Sequence, residues 1–437
     1  MKITNKEINR LAFPAIISGI AEPVISLVDT FFVGQLGTEA LAGVGLATSL
    51  FLLIIWTLAQ SKTAVSAIVS RYFGEEKLSQ LKSFIPQAFF FIFFIGLLIF
   101  LLTWMLAGPI FKLYEAEGEV LQNCIDYYGI RAMGIPVVLC TFACFGIFRG
   151  SQNTSWAMQI SLIGLVCNAL LDYAFIMGIE GWIESMGVRG AALASFISQL
   201  VMLCLALLYL HRKTGFRLFP ITGRLHSELF KLFTLSSTLM IRTLALNAAF
   251  FLAARYATSY SDEHIAAHTI AVNIWLFASY FIDGFANAGN AISGRLQGAG
   301  KNELIFPLAI KLIKISVSIA LLLSIVFFIC SPWIASFFGA EPEVILIFNK
   351  FFWMIIISQP INALAFSLDG VFKGLGKGIL LMNNLLLAVG IGFIPILLIL
   401  DHFHLKMYAI WTAFIMFMFL RGAHLYYHLE REFRNRT

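Results

Sequence analysis

Four oxygen-bearing side chains stand in otherwise apolar stretches of the first half of the chain. Asp29 and Asp172 carry carboxylates, Asn168 an amide and Ser195 a hydroxyl. Asn168 and Asp172 are four residues apart, so they share one face of a helix. Oxygen ligands of this kind suit a small cation such as Na⁺, and two neighbouring carboxylates equally suit a shared proton. The residue types predict an ion-binding site and leave open whether it takes H⁺ or Na⁺.

Depth within the apolar segments is the reason for grouping these four side chains. Each lies several residues from the outer end of its segment, about 10–15 Å below the same surface at the helical rise of about 1.5 Å per residue. An ionisable side chain in a membrane span costs about 2.5–3.5 kcal/mol, so its presence predicts a function. Two further charges are accessory candidates. Glu22 shares a helix face with Asp29, and Lys62 either lines a cleft or extends to the cytoplasm.

The second half of the chain carries its own charges within apolar segments. Arg242 and Asp283 lie at similar depth, which predicts a neutralising pair with a structural role. Asp369 precedes Lys373 by four residues, a spacing that allows an ion pair within one helix. These residues are expected to be polar features of the second half rather than its ion site.

The elements that must position these residues are membrane-spanning helices. Of 437 residues, 59% are hydrophobic and only 12% are charged, which excludes an ordinary soluble domain. The apolar runs are long enough to cross a bilayer as helices, and they lack the short alternating pattern of a β-barrel. The predicted helices cover 11–36, 42–70, 84–109, 120–147, 155–178, 188–210, 228–258, 264–297, 304–330, 343–372, 378–400 and 406–428, with breaks at 71–82, 179–187 and 331–342.

The distribution of charged residues predicts the membrane topology, and the charges and cysteines together predict which partners and cofactors the chain has. Lys and Arg concentrate in alternate loops while the opposite loops are acidic, so both termini are expected in the cytoplasm. The net charge of +6 is therefore a topology signal, and no nucleic-acid partner is expected. The six Cys lie in apolar segments and are interpreted as small buried side chains. No cofactor is predicted, and the partners expected are membrane lipids and small molecules, with the chain as a monomer.

The chain repeats itself at an offset of 224 residues. The segment 146–150 matches 370–374, and Arg71 matches Arg295. Six helices per half is an even number, so the fold class is an all-α membrane protein of two six-helix bundles related by a parallel pseudo-two-fold repeat. The expected domains are an N-terminal lobe at 1–210, a cytoplasmic linker at 211–227 and a C-terminal lobe at 228–437.

Two bundles around a cleft favour a secondary transporter that works by alternating access. An intramembrane enzyme and a channel are the competing classes. The sequence has no HExxH, GxSxG or phosphate-loop motif in a suitable context, and nothing indicates a selectivity filter. The chain is therefore expected not to be an enzyme.

Several segments resemble the multidrug and toxic compound extrusion (MATE) family along the whole chain, and some resemble its DinF-like branch. Those typical of the family are Leu27–Thr30, Gly34–Gly37, Asn168–Asp172, Gly187–Ser195 and Ala267–Asn273; those of the branch are Ile241–Thr243, Asp283–Ala286 and Asp369–Phe372. The resemblance implies a cation-coupled antiporter of the plasma membrane, the inner membrane of a bacterium, which exports amphipathic or cationic drugs. It also implies that Asp29 is central to coupling. The Na⁺ site of some members carries over as Asp29, Asn168 and Asp172, with Ser195 in place of a threonine.

The branch resemblance favours H⁺ as the coupling ion and leaves Na⁺ as the alternative. Helix 7 lacks the acidic residue of the NorM-like branch, and Asn362 stands at the position aligned with its helix 10 aspartate. Asn290 stands where DinF-like members are expected to have glutamate. A flippase for a lipid-linked or polysaccharide precursor, from the same superfamily, is the alternative function.

Overall fold

The computed structural model describes residues 3–219 and 223–434, apart from the side chain of Glu22. In this part of the chain eleven helices are long and apolar enough to cross a membrane, and the number is twelve when a helix pair bent by 44° is counted as one span. The spans are α1 Asn5–Leu36, α2 Thr38–Gly74, α3 Leu78–Met105, α4 Gly118–Arg131 with Gly134–Gly150, α5 Ser155–Met177, α6 Gly187–Thr214, α7 Glu228–Tyr260, α8 Asp262–Gly298, α9 Asn302–Phe337, α10 Pro342–Gly374, α11 Gly378–His402 and α12 Met407–Phe433. The predicted all-α membrane architecture is confirmed.

The chain forms two compact units whose boundaries differ from the expected domains. The N-terminal unit is Ile17–Ser236, and the C-terminal unit combines Met1–Ile16 with Ser237–Thr437. Both α1 and α7 therefore begin in one unit and continue in the other. The hydrophobicity of the sequence marks where a helix runs, but it does not mark which neighbours the two ends of that helix pack against.

Two repeat-related arginines form ion pairs with the first turns of α1 and α7. In the N-terminal unit, Arg71 Nη2 lies 2.8 Å from Glu228 at the start of α7, and the Glu228 side chain is almost completely buried. In the C-terminal unit, Arg295 Nη2 lies 2.6 Å from Glu7 at the start of α1. Arg71 and Arg295 are the residues matched by the 224-residue repeat. Their partners are not matched by the same offset, since Glu7 falls on Lys231 and Glu228 on Thr4. The repeat therefore covers the two arginines, while each helix start supplies its carboxylate at its own position.

The predicted break at 331–342 begins too early, because α9 continues through Pro332 to Phe337. A proline within a helix leaves the carbonyl four residues earlier without its usual donor. That carbonyl belongs to Phe328, and it accepts a hydrogen bond of 2.8 Å from Ser331 Oγ. A neighbouring hydroxyl can thus compensate for proline inside a membrane helix.

The glycines of the repeated motif allow close helix packing in both units. A Cβ added at Gly146 would lie 2.5 Å from the Lys62 carbonyl oxygen on α2. A Cβ at Gly370 would lie 2.1 Å from the Ala286 carbonyl oxygen on α8. In each case the obstacle is backbone, which cannot move away as a side-chain tip can. The motif at 146–150 and 370–374 is thus a helix-packing motif.

We expect Gly370→Ala to destabilise the protein by about 1–3 kcal/mol or more, the range for overpacking a well-packed site. Thermal unfolding of the purified protein would measure this loss. Gly45→Ala is the matched control, since a Cβ at Gly45 on α2 meets nothing within 4 Å. Equal stability of the two variants would contradict the packing role of the motif.

Candidate functional site

Asp29 is the acceptor at the centre of a buried polar cluster in the N-terminal unit. Its side chain is only 3% exposed, although α1 is otherwise largely apolar there. Ser195 Oγ of α6 donates to Asp29 Oδ2 at 2.9 Å, and Asn168 Nδ2 of α5 donates to Oδ1 at 3.2 Å. Asn168 Nδ2 also lies 3.4 Å from Ser195 Oγ. Three helices therefore bring together three of the four side chains that the sequence groups by depth.

Asp172, the fourth of these side chains, lies beside Asp29 within electrostatic reach. It is completely buried at the end of the regular part of α5, just before a π-helical turn at Tyr173–Met177. Neither carboxylate oxygen has a hydrogen-bond donor of good geometry among the described residues, and the same holds for Asn168 Oδ1. Buried acceptors without donors are unfavourable, so the cluster offers three oxygen atoms to a proton or a small cation.

The sequence did not single out Tyr127 of α4 as a member of this cluster. Tyr127 is fully buried, and its hydroxyl donates to Asp29 Oδ2 at 3.4 Å. Thr48 Oγ1 of α2 in turn lies 3.5 Å from the Tyr127 hydroxyl. The available signal was the spacing of Tyr127 and Arg131, two side chains with polar groups at i and i+4 on one helix. A tyrosine in an apolar run is most often only a core residue, which is why this signal is weak.

Arg131 sets the net charge of the site. Its guanidinium carbon lies 3.9 Å from the centre of the Phe51 ring, its side chain is 4% exposed, and its charge acts on Asp172. Asp29, Asp172 and Arg131 together carry a net charge of minus one when all are ionised. A single monovalent cation, either H⁺ or Na⁺, therefore neutralises the three groups. The geometry suits the binding and release of one cation.

For the cation-coupled antiport expected from the sequence, Tyr127→Phe should lower ion-driven efflux about tenfold, because a hydrogen bond to a charged group contributes about 1.5–3 kcal/mol and this one is long. Initial efflux rates in vesicles would measure the loss. Tyr128→Phe is the matched control, since Tyr128 is equally buried and its hydroxyl forms no hydrogen bond with the cluster or with any other described residue. Equal rates for the two variants would exclude Tyr127 from the site.

The two accessory candidates remain predictions. Lys62 Nζ of α2 lies 4.5 Å from the centre of the Phe142 ring on α4, a cation–π contact within the N-terminal unit. This contact is compatible with either role expected for Lys62. The side chain of Glu22 lies outside the described part of the structure.

In the C-terminal unit the expected pairing of Arg242 with Asp283 is wrong. Arg242 Nη2 donates to both carboxylate oxygens of Asp369 at 2.9 Å, while Asp283 accepts from Asn287 on its own helix. The pair of Asp369 with Lys373 is confirmed at 2.8 Å. Matching depth along two helices does not determine which faces meet, and α10 presents its own carboxylate to Arg242.

Two buried asparagines occupy the other polar positions noted in the C-terminal unit. Asn290 of α8 is completely buried, and its carbonyl oxygen would lie 2.1 Å from a Cβ added at Gly374. Asn362 of α10 is also completely buried and lies 3.4 Å from Ser358 Oγ. Both sit among closely packed helices, which is compatible with a structural role.

Comparisons with known proteins agree with this architecture. A family model described as MatE matches residues 14–174 and again residues 239–398, once in each half of the chain. DNA damage-inducible protein F of Escherichia coli is 26% identical, and the alignment covers 99% of this chain and 94% of that protein. A probable multidrug resistance protein NorM of Thermotoga maritima is 22% identical, over 96% of this chain and 90% of that protein.

Solved structures show the same fold. The Vibrio cholerae MATE transporter VcmN in its bent form aligns with a TM-score of 0.90 at 20% identity, over 98% of this chain and 97% of that chain. A MOP superfamily transporter from Pyrococcus furiosus, described as having a binding pocket of reverse polarity, aligns with a TM-score of 0.89 at 20% identity, over 99% of this chain and 98% of that chain. At this identity the likeness is one of fold alone.

Proposed function

The chain belongs to the MatE family of multidrug and toxic compound transporters and is DinF-like, and on that premise we propose that it is an H⁺-coupled antiporter. It would export amphipathic or cationic compounds in exchange for protons. The buried cluster around Asp29, with the carboxylate of Asp172 beside it, is the observation that carries this proposal. The same oxygen atoms suit Na⁺, which is the alternative coupling ion.

Electrostatics supply the coupling step. In a low-dielectric site Asp29 and Asp172 cannot both remain ionised cheaply, so either a proton or another cation must neutralise the excess charge. A bound proton and a cationic substrate therefore compete for the same negative charge. If each favours a different conformation, uptake of one promotes release of the other.

Helix α1 can convey the effect of neutralising the carboxylates, because part of α1 belongs to each unit. Asp29 lies in the part of α1 within the N-terminal unit, whereas residues up to Ile16 pack in the C-terminal unit. Pro23 interrupts the hydrogen bonding of α1 between these two regions. Neutralising Asp29 would weaken its hold on Asn168 and Ser195 and so alter the packing of α1.

The charge pattern supports a proposed topology and membrane for this transporter. The Lys and Arg distribution supports cytoplasmic termini and insertion into a plasma membrane, which is the inner membrane if the source is a bacterium. We propose that the chain acts as a monomer, because every residue of the polar cluster around Asp29, from here on the cation cluster, comes from the N-terminal unit of one chain. Its members are Asp29, Tyr127, Asn168, Asp172 and Ser195. The flippase alternative is not favoured, since the relatives include NorM multidrug resistance proteins.

Reconstituted proteoliposomes would test the proposal. A pH gradient and a Na⁺ gradient are imposed separately, and movement of a fluorescent cationic dye such as ethidium is followed. The pH gradient alone should drive transport, and the Na⁺ gradient alone should not. Dye transport driven only by the Na⁺ gradient would show that Na⁺ is the coupling ion. Dye transport at the same rate with and without either gradient would refute antiport.

A further inference from the structure

The C-terminal unit contains a buried cluster in which positive charges outnumber negative ones. Asp369 of α10 is 1% exposed and accepts from Arg242 at 2.9 Å and from Lys373 at 2.8 Å. Arg421 Nη2 of α12 lies 3.1 Å from Oδ1 of the same Asp369 carboxylate. A carboxylate has about four lone-pair sites, so three cations nearly saturate Asp369.

The next negative charge acting on this cluster is Asp283 of α8. Its carboxylate acts electrostatically on both Arg242 and Lys373, but it accepts its hydrogen bond from Asn287. Three cations and two carboxylates leave a net charge of plus one among these described side chains. A net charge buried at this depth is unfavourable unless a counter-charge is present.

The cationic side chains also have donor groups left over. Arg421 is completely buried and Arg242 is 5% exposed, yet Nε of each has no hydrogen-bond partner in the part of the chain that the structure describes. Arg421 also lies over the Phe366 ring at 5.1 Å, which offsets only part of its desolvation. Guanidinium N–H groups are well matched in geometry to carboxylate and phosphate oxygens.

Two further polar residues near Arg421, in the part of the chain that the structure describes, carry no negative charge. Asn384 Nδ2 of α11 donates to the Arg421 carbonyl at 3.3 Å, and its Oδ1 lies 2.9 Å from His424 Nδ1 of α12. Both groups are neutral or, for a protonated histidine, positive. Lys373 is the least buried of the three cations, with 14% of its side chain exposed, and Asp283 is half-buried. An anion could therefore approach the cations from the side of Lys373.

We propose that Arg242, Arg421 and Lys373 form an anion site within the C-terminal unit, which takes a single carboxylate or phosphate group. This site is separate from the cation cluster around Asp29 and does not depend on how that cluster is coupled. Its ligand is either a free inorganic anion or the acidic group of an amphiphile. In the second case the substrates include acidic or zwitterionic compounds as well as cations.

Thermal unfolding of the full-length protein in detergent tests the site. At constant ionic strength, chloride is replaced stepwise by inorganic phosphate or by acetate. The wild type should show a saturable rise in Tm, of about 1 °C for each kcal/mol of ligand binding in a chain of 437 residues. Arg421→Gln should lose this rise, and Lys373→Met, at the more exposed edge and easier to fold, should lose most of it.

Two control variants separate this site from other effects. Arg255→Gln removes an exposed arginine of α7 outside the cluster and should keep the full rise. Asp29→Asn should also keep it, so a failure of the proposed proton coupling would leave this result unchanged. The absence of a saturable rise in the wild type would overturn the proposal. An equal rise in Lys373→Met and Arg255→Gln would overturn it as well.

Comparison of octanoate with acetate distinguishes the two sources of the anionic group. If the site opens towards an apolar cleft, octanoate should give the same rise at a concentration at least about tenfold lower, because its tail is also buried. That result would assign an acidic amphiphile as the ligand. Equal potency of the two acids, both lost in Lys373→Met, would assign a free anion. A rise with octanoate that persists in Lys373→Met would mean that the site does not bind it.

Discussion

Asp29→Asn is expected to abolish gradient-driven efflux while the protein still inserts and folds. Asparagine keeps the shape of the side chain and an oxygen that can accept from Ser195, but it carries no charge and cannot exchange a proton. Typical coupling free energies correspond to factors of about 5–150, so efflux should fall into the background of a vesicle assay. The initial rate of ethidium efflux under an imposed pH gradient measures the effect.

The matched control for this variant is Asp126→Asn. Asp126 also lies on a helix of the N-terminal unit, but it is partly exposed and pairs with Arg189 at 3.0 Å, outside the cluster. This control should retain most of the wild-type rate. Wild-type efflux by well-expressed Asp29→Asn protein would end the assignment of Asp29 as the coupling residue.

Asp369→Asn should produce the largest loss of stability. It would leave Arg242, Lys373 and Arg421 without their shared counter-ion, and breaking a buried ion pair from one side costs about 3–5 kcal/mol. The midpoint of thermal unfolding in detergent, or the yield of folded protein, would report the loss. Glu343→Gln changes an exposed acidic residue on the same helix and should have almost no effect.

A double-mutant cycle with Arg242→Gln tests the origin of this loss. If the unpaired charge is responsible, the double variant should lose clearly less stability than the sum of the two single variants. Independent sites add within about 0.3–0.5 kcal/mol. Additivity within that margin would show that the contact between Arg242 and Asp369 contributes little.

Much of the fold was predictable because membrane helices are constrained locally. Lipid forces each span to satisfy its own backbone hydrogen bonds, so an apolar run of sufficient length must be a helix. The 224-residue repeat then predicts two similar halves, and the family model matches once in each. The predicted helix end before Pro332 was wrong, because the Ser331 hydroxyl donates to the carbonyl that the proline leaves without a donor. Hydrophobicity alone does not reveal such a hydrogen bond.

The cation cluster was predictable in part, because burial of Asp29 and Asp172 is costly and their depth follows from helical rise. Depth places a side chain along the membrane normal but leaves its direction around the helix open. For this reason the prediction that Asn168 and Ser195 lie near Asp29 is correct. The prediction that Arg242 pairs with Asp283 is not, because Arg242 pairs with Asp369. Tyr127 was missed because its ring looks like ordinary apolar packing.

The most direct test of the central claim, that the Asp29 cluster exchanges a proton for a cationic substrate, is proton release on substrate binding. Tetraphenylphosphonium, a cation without titratable groups, is added to the purified protein in weakly buffered detergent solution, and a pH indicator records the protons set free. The wild type and Asp126→Asn should release about one proton per bound cation, since the carboxylate pair shares one proton. Asp29→Asn should release none. Binding without proton release in the wild type, or undiminished release from Asp29→Asn, would contradict the account.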